Sequence, residues 1–249
     1  MDITNFILLI INSFIASIIG SIIGTAMLIL PPAMIFMGIP VHTSVATARF
    51  SMVGIGIGNI TKFSIKDKIQ LKYTLPFALA GIFGSIFGAS ILIKINEEIL
   101  KTIIGILMIV VSLLILFEDY IKTKKVKTKI TTRQHILSVL AGIFIGAYMG
   151  IIGGGGATLI IFLLVLIYGL SFQNAVANQK AVTLPISIVT TIIFIYQGLI
   201  DYKLGIPLLL VNIAGGWLGA GLVLKFKNIW LKRILVPIII VMAVKLIFL

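Results

Sequence analysis

Arg49 and Lys180 are the residues of this 249-residue chain best placed to do chemistry, because each puts a full positive charge inside an otherwise apolar segment. They are also related to one another. Read against itself at an offset of 131, the chain repeats without a gap: Gly38 falls on Gly169, Val45-Ala46 on Val176-Ala177, Pro76 on Pro207, Gly84 on Gly215, Gly88-Ala89 on Gly219-Ala220, Lys94 on Lys225, and Arg49 on Lys180. A cation in hydrocarbon is costly, so two at equivalent places in two repeats point to a binding role.

Polar partners cluster beside both cations. Thr47 and Ser51 flank Arg49, while Asn178, Gln179 and Thr183 surround Lys180, although Thr47 and Asn178 need a bend or unwinding to face their cation. Thr183 is three residues after Lys180 and so shares its helical face. Pro185 cannot donate to the carbonyl of Ala181 and loosens the backbone there. The competing reading is snorkelling, in which each long side chain lifts its charge to the membrane interface.

A second feature is the pair of glycine breaks, Gly24-Thr25 in the first half and Gly153-Gly154-Gly155-Gly156 in the second, followed by Ala157-Thr158. Helices that begin there present free backbone N–H groups and a positive dipole end, and glycine lets a ligand approach the backbone closely. Thr25 and Thr158 add hydroxyl donors. Two such helix starts meeting at mid-depth would suit an anion. Gly20, Gly84, Gly88, Gly215 and Gly219 are expected instead to allow tight helix packing, within one chain or between copies in a homo-oligomer.

The acids complete the electrostatic picture. Asp2, Asp67, Glu97, Glu98, Glu118, Asp119 and Asp201 are all there are, and each lies at a segment end or in a loop. A cation path or a carboxylate proton relay needs an acid within the membrane. With none available, the natural counter-ion of Arg49 and Lys180 is an anionic substrate. His42 and His135 sit at segment boundaries, where an imidazole is ordinarily solvated. No His, Asp or Glu cluster has metal-ligand spacing and no nucleophile stands beside a base, so neither a cofactor, a metal nor a catalytic residue is expected. Cysteine is absent, which removes disulfides and thiolate chemistry.

The elements that must position these groups are membrane helices. Residues are 60% hydrophobic and 11% charged, with mean hydropathy +1.24, and apolar runs of spanning length recur from end to end. The net charge of +13 fits basic loops and a lipid surface, and no soluble module offers a nucleic-acid patch. The apolar segments run roughly 5–23, 25–38, 43–63, 73–93 and 98–118, then 135–152, 155–170, 174–197, 203–224 and 229–249. This gives a first membrane repeat over 1–120, a basic cytoplasmic linker over 121–134 (Lys122, Lys124, Lys125, Lys127, Lys129, Arg133) and a second repeat over 135–249.

Orientation follows from the breaks. If each returns the chain to its starting side, Lys62, Lys66, Lys68, Lys72, the linker cations, Lys225, Lys227, Lys232 and Arg233 gather on one face. Lys94, Lys101, Lys203 and Lys245 share the other face with Asp2, Glu97, Glu98 and Asp201. The positive-inside rule prefers this arrangement over simple kinks. It makes the two repeats inverted, each opening with a glycine-broken hairpin that either re-enters or crosses fully, and puts both termini outside. Trp217, Trp230, Tyr73, Tyr120 and Tyr202 read as interfacial anchors, and Asn59, Gln197 and Asn212 as helix–helix glue or path-lining groups.

The doubled motif, Gly20-Ser21-Ile22-Ile23-Gly24-Thr25 with Pro31 and Val45-Ala46-Thr47, then Gly150-Ile151-Ile152-Gly153-Gly154-Gly155-Gly156 with Ala175-Val176-Ala177-Asn178, resembles the TauE/SafE sulfite exporter family over nearly the whole chain. The first break departs from the pattern, with Thr25-Ala26 where more glycine is usual. The resemblance implies a duplicated transporter in the cell membrane for sulfite, sulfonates or related organic anions. The expected substrate-binding set is Gly24, Thr25, Thr47, Arg49, Ser51, Gly153, Gly154, Gly155, Gly156, Thr158, Asn178, Gln179, Lys180 and Thr183. Export is favoured over uptake, since a monoanion leaving an inside-negative cell needs no coupled ion. An integral membrane enzyme, a scaffold and a cation carrier are the alternatives.

Overall fold

The computed structural model describes residues 2–66, 68–117, 130–225 and 229–248; Lys227 and most of the expected linker, including Lys122, Lys124, Lys125, Lys127 and Lys129, lie outside them. Among the described residues the chain is all helix. The first half forms α1 (Ile3–Ile23), α2 (Ala26–Phe36), α3 (Val41–Ser64), α4 (Leu71–Leu92) and α5 (Glu97–Phe117). The second forms α6 (Thr132–Ile151), α7 (Gly156–Tyr168), α8 (Phe172–Tyr196), α9 (Tyr202–Lys225) and α10 (Ile229–Ile247). The second half starts three residues inside the expected linker, because Thr131 and Gln134 form a reciprocal capping box that nucleates α6 there.

The offset of 131 carries into the backbone. α8 starts 131 residues after α3 and α9 131 residues after α4. Gly24 and Gly155, equivalent at that offset, have φ of +85° and +79°. This left-handed region is open to glycine and strained for other residues, so each half breaks where a glycine permits it. Gly24 closes α1, its N–H donating to the carbonyl of Gly20 at 2.9 Å.

Helices α1, α4, α5, α6, α8 and α9 are long and apolar enough to cross a membrane. α2 and α7, at 11 and 13 residues, are too short to cross on their own. α3 has 24 residues, yet Arg49, Asn59 and several hydroxyls keep its hydropathy too low for it to join the six.

Contact registers show how the chain folds back. Along α1 and α9, Ser13 meets Asn212, Ser17 meets Gly215 and Ser21 meets Gly219. Along α3 and α9, Thr47 meets Asp201, Gly54 meets Leu209 and Gly58 meets Ile213. Both sets advance together, so α1 and α3 run the same way, and α2 between them carries the chain back. In the other half, α6 and α8 both advance with α4: Phe77 meets Gly142, Gly81 meets Gly146 and Ser85 meets Gly150, while Gln70 meets Asn178, Gly81 meets Ile186 and Ala89 meets Gln197. Here α7 is the return.

Small residues make these contacts possible. A Cβ at Gly84, Gly88 or Gly146 would collide with the carbonyl oxygen of Ile143, Ala147 or Gly81, so α4 and α6 touch backbone to backbone. Gly215 and Gly219 play the same part between α9 and α1, within the chain. Asn59 donates to Ser21 Oγ at 3.0 Å and to the Ile55 carbonyl at 2.7 Å; Asn212 accepts from Ser13 Oγ at 2.8 Å and donates to the Ser51 carbonyl at 3.2 Å. Both are helix–helix glue. Tyr73 corrects the expectation of an interfacial anchor: it is 1% exposed and packs on Tyr168 with ring centroids 4.9 Å apart, because its position on α4 points inward. Tyr202 (46%) and Trp217 (43%) are exposed.

Gly146→Leu is expected to cost about 1–3 kcal/mol by overpacking the α4–α6 seam. Gly221→Ala, where a Cβ would meet only Lys62 at an ordinary 3.5 Å, should be close to neutral. Thermal unfolding of the detergent-solubilised pair compares them.

Candidate functional site

Arg49 and Lys180 are 2% and 3% exposed. Neither reaches interfacial water, and snorkelling is set aside. Both line one cavity of about 60 Å³, walled by the two glycine breaks on one side and by α3 and α8 on the other. A water needs about 10–15 Å³ on this measure, so there is room for several waters or one small polyatomic ion.

The breaks meet each other. Thr158 Oγ1 donates to the carbonyl of Ile23 at 2.9 Å, and a Cβ on Gly24 would stand 2.9 Å from the backbone nitrogen of Thr158. Gly153 packs so closely against Arg49 that a Cβ there would overlap the guanidinium. Close approach of a large cation, together with its φ of +74°, requires glycine at this position.

Each cation is held by the opposite half. Lys180 Nζ donates to the carbonyl of Gly20 at 3.0 Å, and an Arg49 guanidinium N–H donates to the carbonyl of Met149. Gly20 and Met149 belong to the last turns of α1 and α6, where roughly half a unit of negative charge collects. Ala26 and Ala157, in the first turns of α2 and α7, line the cavity beside these cations, so helix ends hold the cations while helix starts form part of the wall. Among the described residues no Asp or Glu lines the cavity.

Six of the expected residues line it: Gly24, Arg49, Gly153, Gln179, Lys180 and Thr183. The others stand outside. Gly154, Gly155 and Gly156 pack against Leu28, Val111 and Met149. Thr158 ties the two breaks together, Ser51 donates to the Ala48 carbonyl at 2.8 Å, and Thr25 is fully buried with a hydroxyl that has no partner.

Thr47 and Asn178 form reciprocal clasps between the halves. Thr47 Oγ1 accepts from the N–H of Asp201 at 3.0 Å; Asn178 Oδ1 accepts from the N–H of Gln70 at 2.7 Å, and its nitrogen donates to the Lys68 carbonyl at 3.1 Å. Both donors and both acceptors are equivalent at the offset of 131. Each clasp thus pins the entrance of α9 or α4 two residues before a cation.

Met52 and Gly56 on α3, and Leu184 and Ser187 on α8, also line the cavity. Counting three and seven residues from each cation reaches Met52 and Gly56 in one half, Thr183 and Ser187 in the other; that helical stripe was the signal available in the sequence. Tyr148, whose hydroxyl donates to the Gly154 carbonyl and steadies the second break, carried none.

The family model described as Sulfite exporter TauE/SafE matches residues 9–246. The chain belongs to the TauE/SafE family. It is 25% identical over 236 residues to a probable membrane transporter protein of Haemophilus influenzae, covering 94% of this chain and 91% of the relative. It is 27% identical over 198 residues to Probable membrane transporter protein YdhB of Bacillus subtilis, covering 79% of each. A third relative, Probable membrane transporter protein ORF9 of Sinorhizobium, is 25% identical over 239 residues, 96% of this chain and 90% of the relative. No solved structure matches. This TauE/SafE member is a multi-pass membrane transporter, which displaces the enzyme alternative.

Because the clasps of Thr47 and Asn178 stand away from the cavity, Thr47→Val and Asn178→Leu should each lower stability by about 1–3 kcal/mol through a lost buried hydrogen bond. The KM of the transported substrate should change little, because neither side chain lines the cavity. Thermal unfolding read beside flux kinetics separates the two effects.

Proposed function

We propose that this TauE/SafE member moves a small anion, from the class of sulfite, organosulfonates and related organic anions, across the cell membrane by alternating access, with export favoured. One observation carries the reading: two buried cations from equivalent positions of the two halves converge on one small cavity that, among the described residues, no carboxylate lines. An anion there gains two charge-assisted partners, whereas a cation would meet only repulsion.

The halves are read as inverted. α1 and α3 run with α9, α6 and α8 run with α4, and the connection from α3 to α4 is short, so equivalent helices α3 and α8 point opposite ways. The basic residues support a cytoplasmic face at the α3–α4 connection. Lys62 lies over the ring of Trp217 at 3.7 Å, which places the C-terminal ends of α3 and α9, with Lys66 and Lys225, at one level. Gln197 donates to the Ala89 carbonyl, which brings Lys94 and Lys203 together at the other. By the positive-inside rule the first is inside, and both termini then lie outside. Alternating access would be a rocking of α3 and α8 against the breaks, each cation exchanging a helix-end carbonyl for the passenger. Export draws on the membrane potential at about 2.3 kcal/mol per charge per 100 mV, with no coupled ion required.

In proteoliposomes loaded with sulfite or sulfoacetate, the parent should release anion faster when the potential is set negative inside. Arg49→Ala and Lys180→Ala should each slow release at least about thirtyfold, the loss expected on removing one buried charged partner. The double variant should fall to the rate of empty liposomes. Flux unchanged in the double variant would refute the site.

A further inference from the structure

Beside Lys180, Gln179 is 1% exposed and its carboxamide has a fixed orientation. The Thr183 hydroxyl donates to the main-chain carbonyl of Gln179 at 3.1 Å, which leaves its oxygen to accept, and it accepts from Gln179 Nε2 at 2.9 Å. The amide nitrogen therefore points to Thr183 and the amide oxygen points away. That oxygen, Oε1, is buried and has no hydrogen-bond partner. Arg49, which lines the same cavity, carries a second buried orphan of opposite kind, its Nε N–H.

An anion that offers only acceptors satisfies Arg49 and Lys180 but leaves a carbonyl oxygen facing negative charge. Buried polar groups are ordinarily paired, and an acceptor inside an anion site is paired only by a ligand that brings a donor. We propose that the cavity takes a small monoanion carrying its own O–H donor, and that Gln179 is the residue that reads this hydroxyl. The inference rests on the anion-transport reading above. The remaining wall is largely apolar (Met27, Met52, Ile55, Leu184), and the volume admits an anion of only a few heavy atoms. A site that discriminates by hydrogen bonding rejects an isostere lacking the group because its own buried acceptor is then left unpaired.

Hydroxymethanesulfonate and ethanesulfonate test this directly. They have the same single charge and nearly the same size, and differ by a hydroxyl in place of a methyl. Each is titrated calorimetrically into the purified full-length protein at mildly acidic pH, with hydrogen sulfite as a third arm whose donor sits on the oxyanion itself. The parent should bind hydroxymethanesulfonate about five- to tenfold more tightly than ethanesulfonate, the ordinary effect of one buried hydrogen bond. Gln179→Met keeps the length and removes the acceptor, and should bring that ratio close to one. Thr183→Val, which frees the carboxamide to turn, should narrow it as well and serves if the first variant does not fold. A merely structural role would change affinity for both anions and leave their ratio alone. Preference for hydrogen sulfite over ethanesulfonate, lost in the same variants, would support a donor on the oxyanion; preference for hydroxymethanesulfonate alone would support one on carbon. Equal binding of the matched pair with no preference for hydrogen sulfite, or a ratio that survives in both variants, overturns the proposal and leaves anion transport standing. Failure of all three anions to bind overturns both.

Discussion

The structure depends on two basic side chains buried inside the protein and held by helix ends that belong to the opposite half of the chain. Lys180 rests on the end of α1 and Arg49 on the end of α6. Desolvating either cation is expensive, and each is offset by a carbonyl whose partial negative charge comes from the helix dipole. At the end of α6 the Met149 carbonyl has no N–H from the next turn, and at the end of α1 the Gly20 carbonyl accepts Lys180 alongside the N–H of Gly24. Remove the break and the helix would run on past the point where its end faces the cation; remove the cation and the break would lose its partner. The two features that stand out along the sequence are thus halves of one interaction, made twice.

The rest of the architecture holds that crossed pair in place. Backbone contacts between α4 and α6, and between α9 and α1, lock the broken helices to their neighbours through glycines that admit no side chain. The clasps at Thr47 and Asn178 fix α3 and α8 just ahead of their cations. Thr158 bridges the breaks themselves. A cavity built this way is small, and its polarity is set by a few side chains against a wall of methionine and aliphatic carbon. Specificity in such a site comes from unpaired groups more than from shape, which is why the orphan oxygen of Gln179 matters next to two cations.

Much of the fold was legible in advance for simple reasons. Ten apolar segments could be counted because a chain in lipid must satisfy its backbone within helices, and hydropathy then marks each one. The repeat was legible because glycine and proline, fixed by backbone geometry, recur at one offset. Arg49 and Lys180 were legible because charge inside an apolar run is conspicuous. The roles of Thr47 and Asn178 were not: a hydroxyl or amide two residues from a cation looks like a partner for it, yet a helix turns such a neighbour away, toward the start of α9 or α4. The glycine run 153–156 misled in the same way, since only Gly153 faces the cavity while the next three make room for Leu28, Val111 and Met149.

What the sequence determined by itself was local and additive: which segments leave water, where the backbone may break, and that positive charge lies within the membrane unopposed by any acid. Each follows from a residue and its near neighbours. Only the tertiary structure decided which carbonyl each cation meets, which polar side chains look into the cavity, and that α2 and α7 turn the chain back. Those depend on contacts between residues more than a hundred positions apart, and a helix that packs through bare backbone leaves little in its sequence to say which partner it has chosen.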